Sequence, residues 1–301
     1  SQNELAVINA LLIGKRVQIS KQLLEDYTNA GAIHILAISG LHVGILLLIL
    51  SFLLKPLEQI KNGNVLKTII IVIFLWVFAF IAGLSASVVR AVTMFTFIAI
   101  GLFFNRNNTL LFSLISSLLL LLFLNPLFLF DVGFQLSYLA VFGIIVLQPK
   151  IYKLWQPKMK LTDKIWQLTT VSLAAQIGVL PLSLYYFHQF PSLFILSNLI
   201  IVPFLGLLLI SGILIILFAL LNSLPQVLAK FYGSIISLMN NFVSWISEQE
   251  HFLFTEISLS LAVMFVIYLT IIFGIFFFVD RKPKRFVYSL IAVITLQGFI
   301  L

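Results

Sequence analysis

The sequence predicts an all-α, polytopic transmembrane helical bundle, and three observations carry that prediction. Of 301 residues, 61% are hydrophobic. Only 9% are charged, against about 25% in soluble domains, which is too little to cover a globule in water. Residues 257–279 (ISLSLAVMFVIYLTIIFGIFFFV) run without a single charge, and roughly 20 apolar residues cross a bilayer as a helix. The chain has no cysteine, which removes disulfides and thiolate metal sites. Its net charge of +8 invites a nucleic-acid reading, but the location of charge matters more than its sum.

Residues 1–30 are polar and amphipathic, with Glu25-Asp26, and read as a surface helix leading into the membrane. They lack an initiator Met and the basic-then-apolar pattern of a signal peptide, so the chain is expected to be the membrane part of something longer. Ten spans are expected after them, at 35–54, 66–83, 86–104, 109–124, 131–147, 165–186, 193–221, 231–247, 257–279 and 286–301. Two of these are ambiguous. Residues 193–221 hold Pro203 after Ser197-Asn198 and read as a broken or re-entrant helix. Residues 231–247 place Ile235, Met239, Phe242 and Ile246 on one face and Asn240 and Asn241 on another; they read as a span, with an interfacial amphipathic helix as the alternative.

Basic residues test the order. Segments 55–67, 105–108, 148–164, 222–230 and 280–285 hold 14 of the 18 Lys and Arg, whereas 84–85, 125–130, 187–192 and 248–256 hold none. With ten spans the two sets alternate, so the basic set is expected in the cytoplasm. Both ends of the chain would then lie outside.

Polar groups at membrane depth are costly and mark function by default. Arg90, in GLSASVVRAVTMF, is the basic residue well inside a span. On a continuous helix Gly83 would lie within about 20° of it and Ser87 one turn before it. Asp131, Gln135 and Tyr138, at i, i+4 and i+7 of DVGFQLSYLAVFGI, form one polar stripe. Gln176 and Asn198 stand beside the helix breakers Pro181 and Pro203. Helix–helix hydrogen bonding, with Arg90 paired to Asp131, accounts for such groups singly. Taken together with recurring Gly and Pro, they point instead to a polar path through the membrane.

The segment GAIHILAISGLHVGILLL carries His34, Ser39, Gly40 and His42. An intramembrane serine hydrolase would use Ser39 with His42 as base, but Ala37 stands where a Gly-x-Ser-Gly motif has its first glycine. A metal site would need His34 and His42 to share an ion, though they lie about 80° apart on a helix. A third reading makes Gly40 a helix break and presents His34, Ser39 and His42 to a pore. A fourth is helix-packing histidines.

HILAISGLHVGIL resembles the His-x4-Ser-Gly-x-His signature of the ComEC-type competence proteins. The resemblance continues through GLSASVVRAVTMF, NPLFLFDVGFQLSYLAVFGI, QIGVLPLSLYYFHQFP and LSNLIIVPF, from residue 31 to about 206. It implies a competence channel domain over 31–301, in the bacterial cytoplasmic (inner) membrane, through which one strand of transforming DNA enters. It also implies flanking OB-type and metallo-β-lactamase-like domains, for which this chain has no alternating all-β stretch and no His-x-His-x-Asp-His motif. Single-stranded DNA, membrane lipids, those flanking domains, a cytoplasmic DNA-translocating motor and single-strand-binding proteins are the implied partners. No cofactor and no catalytic residue are implied. On this reading His34, Ser39 and His42 form a constriction with Gly40 as the break, and Arg90 and the Asp131/Gln135/Tyr138 stripe line or support the path. Gln176, Asn198, Pro181 and Pro203 shape broken helices around it. Few fixed charges suit conduction of a polyanion that must leave as readily as it enters. A small-solute transporter, with polar groups closed around one site, is the remaining alternative.

Overall fold

Long apolar runs leave each segment only its own backbone as hydrogen-bonding partner, so helices result. A computed structural model of the chain describes residues 2–15, 18–104, 109–221, 223 and 225–280. Eleven α-helices are found among the described residues: α1 (Gln2–Ile13), α2 (Lys21–Asn29), α3 (Gly40–Leu53), α4 (Gly63–Ile81), α5 (Ala86–Phe103), α6 (Thr109–Leu124), α7 (Val132–Tyr152), α8 (Lys160–Phe187), α9 (Phe194–Leu220), α10 (Gln226–Ser247) and α11 (Leu261–Asp280). Two two-residue strands, Phe190–Pro191 and Leu253–Phe254, are the only extended elements there. The chain is all-α.

Each of the first nine expected segments coincides with a helix from α3 to α11. The count of ten spans is not supported. Five described helices are long and apolar enough to cross a membrane: α4, α5, α7, α8 and, over Phe194–Ile216, α9. Stretches Gly40–Leu53, Thr109–Leu124 and Leu261–Gly274 are apolar but shorter. A 14-residue helix such as α3 rises about 21 Å, short of a core of about 30 Å. The expected tenth segment, 286–301, and the basic groups of 105–108 and 281–285 lie outside the described residues.

The chain divides into two compact units, one of residues 1–138 and 191–252, the other of 139–190 and 253–301. The first has two apolar cores. In one, Val7 of α1, Leu23 and Tyr27 of α2, Ile201 and Leu205 of α9, and Ile236, Met239 and Val243 of α10 pack together. Residues 1–30 are thus two helices built into a core, not one surface helix. Burial pushes the Tyr27 hydroxyl above its usual range, and it donates to Asn240 Oδ1 at 2.9 Å. The α10 helix is amphipathic and is not among the five long spans; it buries Tyr232, Ile236, Met239, Val243 and Ile246. These recur at the i, i+4, i+7 spacing of one helix face.

The other core joins α3, α4 and α5 through Val43, Leu47, Ile71, Leu75, Val88 and Val92. At its edge Lys67 donates to Glu58 at 2.6 Å, and that hydrogen bond and charge hold the Glu58 carboxyl below its usual range. In the second unit α7 and α8 meet glycine to glycine. A Cβ on Gly143 would lie 2.5 Å from the Ala174 carbonyl, and one on Gly178 would lie 2.6 Å from the Leu139 carbonyl. Small residues permit such close approach in membrane bundles, where packing itself drives association. From α11, Tyr268 donates to the Gly178 carbonyl at 3.2 Å.

Pro181 lies inside α8 and Pro203 inside α9, and both helices continue through them. The expected broken or re-entrant helix over 193–221 is not present: α9 is one helix.

Candidate functional site

The motif segment is helical only from Gly40 onward. Before it, Ile33–Ile35 forms a single 3-10 turn, and Ser39 is extended (φ −119, ψ 175) as the residue before α3. Gly40 therefore begins the helix; it does not interrupt one. His42, two residues in, turns back on Ser39: its Nδ1 accepts from the Ser39 N–H at 3.2 Å and lies 3.1 Å from Ser39 Oγ. This is the capping-box arrangement with a histidine in the place of Glu or Gln. Because a backbone N–H can only donate, Nδ1 is the acceptor, and the neutral ring carries its proton on Nε2. His42 is 2% exposed, and that Nε2 has no hydrogen-bond partner among the described residues. The structure thus brings Ser39, Gly40 and His42 together. His34 is exposed on the 3-10 turn, outside this contact.

Arg90 lies in the second turn of α5 and reaches the start of α7. Its Nη1 is 3.3 Å from Asp131 Oδ1. The same carboxylate oxygen accepts the Phe134 N–H at 2.6 Å, so Asp131 caps α7 from the position before its first residue. Gly133 provides the room: a Cβ there would lie 3.3 Å from Asp131 Oδ1 and 3.4 Å from Arg90 Nη2. Arg90 Cζ is 6.0 Å from the centre of the Phe134 ring, within range of a cation–π attraction. The Phe134 ring in turn lies against Phe128 and Tyr138. Tyr138 donates to Ser117 Oγ at 3.1 Å, and Ser117 donates to the Leu114 carbonyl. Gln135 Nε2 bonds back to the Leu129 carbonyl at 2.7 Å. The expected stripe is therefore three different roles: a cap with an ion pair, a tie to the preceding turn, and a tie to α6.

Other expected residues are placed more simply. Residues 82–85 form a turn, with Gly83 at φ +78 and Leu84 at φ +50, so Gly83 shares no helix face with Arg90. Ser87 is in the first turn of α5, its Oγ 3.3 Å from Ser85 Oγ. Asn198 is in α9, with a buried Oδ1 that has no partner among the described residues. Its neighbour Ser197 is fully buried and donates to the Ala30 carbonyl at 2.7 Å. Gln176 is half-buried on α8, in the second unit.

Sequence reasoning missed Thr93 and Gly133. Thr93 is 2% exposed and its hydroxyl has no partner among the described residues. Its position three residues after Arg90, on the same helix face, was the available signal. A polar cleft of about 240 Å³ between α1, α2 and α10 includes Glu4, Asp26, Asn240 and Asn241 and none of the expected site residues. Among the described residues no group of His, Asp and Glu stands close enough to hold a metal ion.

Comparison with known proteins agrees with these motifs. The competence protein family model matches residues 11–281. ComE operon protein 3 of Bacillus subtilis (strain 168) is 32% identical over 249 residues, covering 82% of this chain and 31% of that protein. Recombination protein 2 of Haemophilus influenzae is 29% identical over 224 residues, covering 69% of this chain and 28% of that protein. The chain thus spans less than a third of the length of these relatives. No solved structure matches it. With its apolar helices this is a multi-pass membrane protein, and the chain belongs to the ComEC-type competence protein family.

Proposed function

We propose that this chain is the transmembrane channel domain through which a single strand of transforming DNA crosses the bacterial cytoplasmic membrane during natural competence. The observation that carries the reading is the family match over 11–281. The geometry that supports it is the arginine held at the α5–α7 contact with a half-exposed carboxylate over it. A single strand brings phosphates that need hydrogen-bond donors or positive charge. A conducting path must bind them weakly enough to release them. One arginine, partly neutralised by Asp131, meets both needs. The partners are single-stranded DNA and membrane lipids, with OB-type and nuclease-like domains in the full-length protein and a cytoplasmic motor with single-strand-binding proteins beyond it.

The test is protein-dependent entry of labelled single-stranded DNA into vesicles reconstituted with the full-length protein, compared with Arg90→Gln. Entry that is independent of the protein, or of Arg90 in a properly inserted variant, counts against the channel.

One observation favours a second reading. Ser39 Oγ lies 3.1 Å from His42 Nδ1, the contact a hydrolase would use. That same Nδ1 accepts the Ser39 amide, so the contact is already explained by helix capping. The channel reading is the stronger one.

A further inference from the structure

Asp131 occupies a position built for an anion. Its Oδ1 accepts the Phe134 N–H at 2.6 Å and meets Arg90 Nη1 at 3.3 Å. It therefore takes both the free amide at the start of a 21-residue helix and the guanidinium beside it, the pair of groups that binds phosphate at helix starts. The Arg90 side chain is 11% exposed and that of Asp131 is 47% exposed, so the carboxylate is the member that can be displaced from outside. Gly133 keeps side-chain atoms out of the space between them and the backbone. Two further polar atoms on the same face of α5 are buried without partners among the described residues: Arg90 Nε and, one turn further along α5, the hydroxyl of Thr93. Asp131 satisfies neither, and a larger anion with more acceptor oxygens would have donors to use.

We propose that Asp131 is a built-in rival to a phosphodiester at Arg90. When a phosphodiester arrives, it takes the Arg90 guanidinium and the α7 amide, with the Thr93 hydroxyl as an added donor. Asp131 swings to solvent. When the phosphodiester moves on, the carboxylate returns. The exchange lets one strongly basic group touch a polyanion without trapping it. This inference rests on the channel reading for the source of the phosphodiester; an anionic lipid headgroup offers the same chemistry.

Asp131→Asn is the decisive variant. Asparagine caps helices as well as aspartate, so the variant keeps the fold of the α7 start and removes only the competing charge. The whole 301-residue chain would be placed in zwitterionic phosphatidylcholine nanodiscs and titrated with a fluorescent single-stranded oligonucleotide at several salt concentrations. If the carboxylate holds Arg90 about nine-tenths of the time, its removal tightens binding about tenfold. The salt dependence should steepen by about 0.7 in log–log slope, one more phosphate contact on a single strand. A merely structural role of Asp131 would not steepen that slope. In the Asp131→Asn background, Arg90→Gln should abolish the gain, and Thr93→Val should weaken binding about fivefold, the scale of one hydrogen bond. A parallel arm with phosphatidylglycerol nanodiscs, read by native mass spectrometry, follows retained lipid. Tighter oligonucleotide binding supports the exchange and the strand as its source. Greater lipid retention without tighter oligonucleotide binding supports the exchange and turns against the channel reading at this site. Unchanged or weaker binding of both overturns the proposal.

Discussion

The Arg90 guanidinium lies directly over Gly133, close enough that a methyl group there would sit 3.4 Å from Nη2. The contact joins α5 to the start of α7 through a charge and a missing side chain. Alanine at 133 should be tolerated by the fold, since it improves helix propensity by about 1 kcal/mol and crowds only two side-chain ends, those of Asp131 and Arg90. Leucine should overpack the contact and cost about 1–3 kcal/mol. We expect Gly133→Ala to reach the membrane at normal levels with reduced DNA uptake, and Gly133→Leu to lose both. Normal uptake by Gly133→Leu would show that the guanidinium position is unimportant.

The capping contact of Ser39 yields a second prediction. If Ser39 serves α3 as a cap, Ser39→Ala should cost about 0.5–2 kcal/mol and Ser39→Thr much less, seen as lower and near-normal membrane levels respectively. A fluorophosphonate probe should leave the wild type unlabelled, because Nδ1 of His42 is held by the Ser39 amide. Covalent labelling at Ser39 would establish the hydrolase reading instead.

Much of this fold was legible in the sequence. Apolar runs located nine helices, and the polar residues within them led to Arg90, Asp131 and the Ser39–His42 motif. What the pattern could not give was whether a given helix crosses the membrane. Composition makes α3 look like a span, but its length of 14 residues is set by the extended Ser39 before it and the turn after it, which hydropathy does not register. The prolines misled in the opposite direction. Pro181 and Pro203 suggested breaks, yet in an apolar surround an unwound backbone has no water to bond to, so the helix closes around the proline. Residues 1–30 look like a surface helix because half their side chains are polar; yet Val7, Leu11 and Tyr27 are fully buried against partners distant in sequence, while Leu5 and Leu24 stay exposed.

The glycine pair of the second unit is a stability device. Backbone carbonyls stand 2.5 Å and 2.6 Å from where Cβ atoms would lie on Gly143 and Gly178, and a carbonyl within a helix cannot swing aside as a side chain can. Gly143→Val or Gly178→Val should force α7 and α8 apart and cost about 3 kcal/mol or more. Membrane levels measured by immunoblot should collapse for both. Wild-type levels would mean that this helix contact is dispensable.

Side-specific labelling tests the orientation. The chain has no cysteine, so single cysteines report cleanly. Position 155 follows α7 among basic residues, and 128 precedes α7 in a segment without any. We expect 155 to react from the cytoplasm and 128 from outside. Reaction of 155 and 128 from the same face would rule out α7 as a crossing helix.

The last prediction separates a structural Arg90 from one that meets the strand. An arginine at membrane depth costs about 2.5–3.5 kcal/mol on insertion scales, and Asp131 offsets part of that cost. If pairing were the whole purpose, Arg90→Gln would strand a carboxylate, and adding Asp131→Asn would restore both membrane level and uptake. The geometry argues against stranding. Asp131 is 47% exposed, and its 2.6 Å bond to the Phe134 amide is made independently of Arg90 atoms. We therefore expect Arg90→Gln to insert normally and lose DNA uptake, Asp131→Asn to give no rescue, and Arg90→Lys to keep part of the activity, since a lysine carries the charge without the planar fork. Full recovery of uptake in the Arg90→Gln, Asp131→Asn double variant would reduce Arg90 to a structural partner of Asp131 and remove the strand contact from the channel reading.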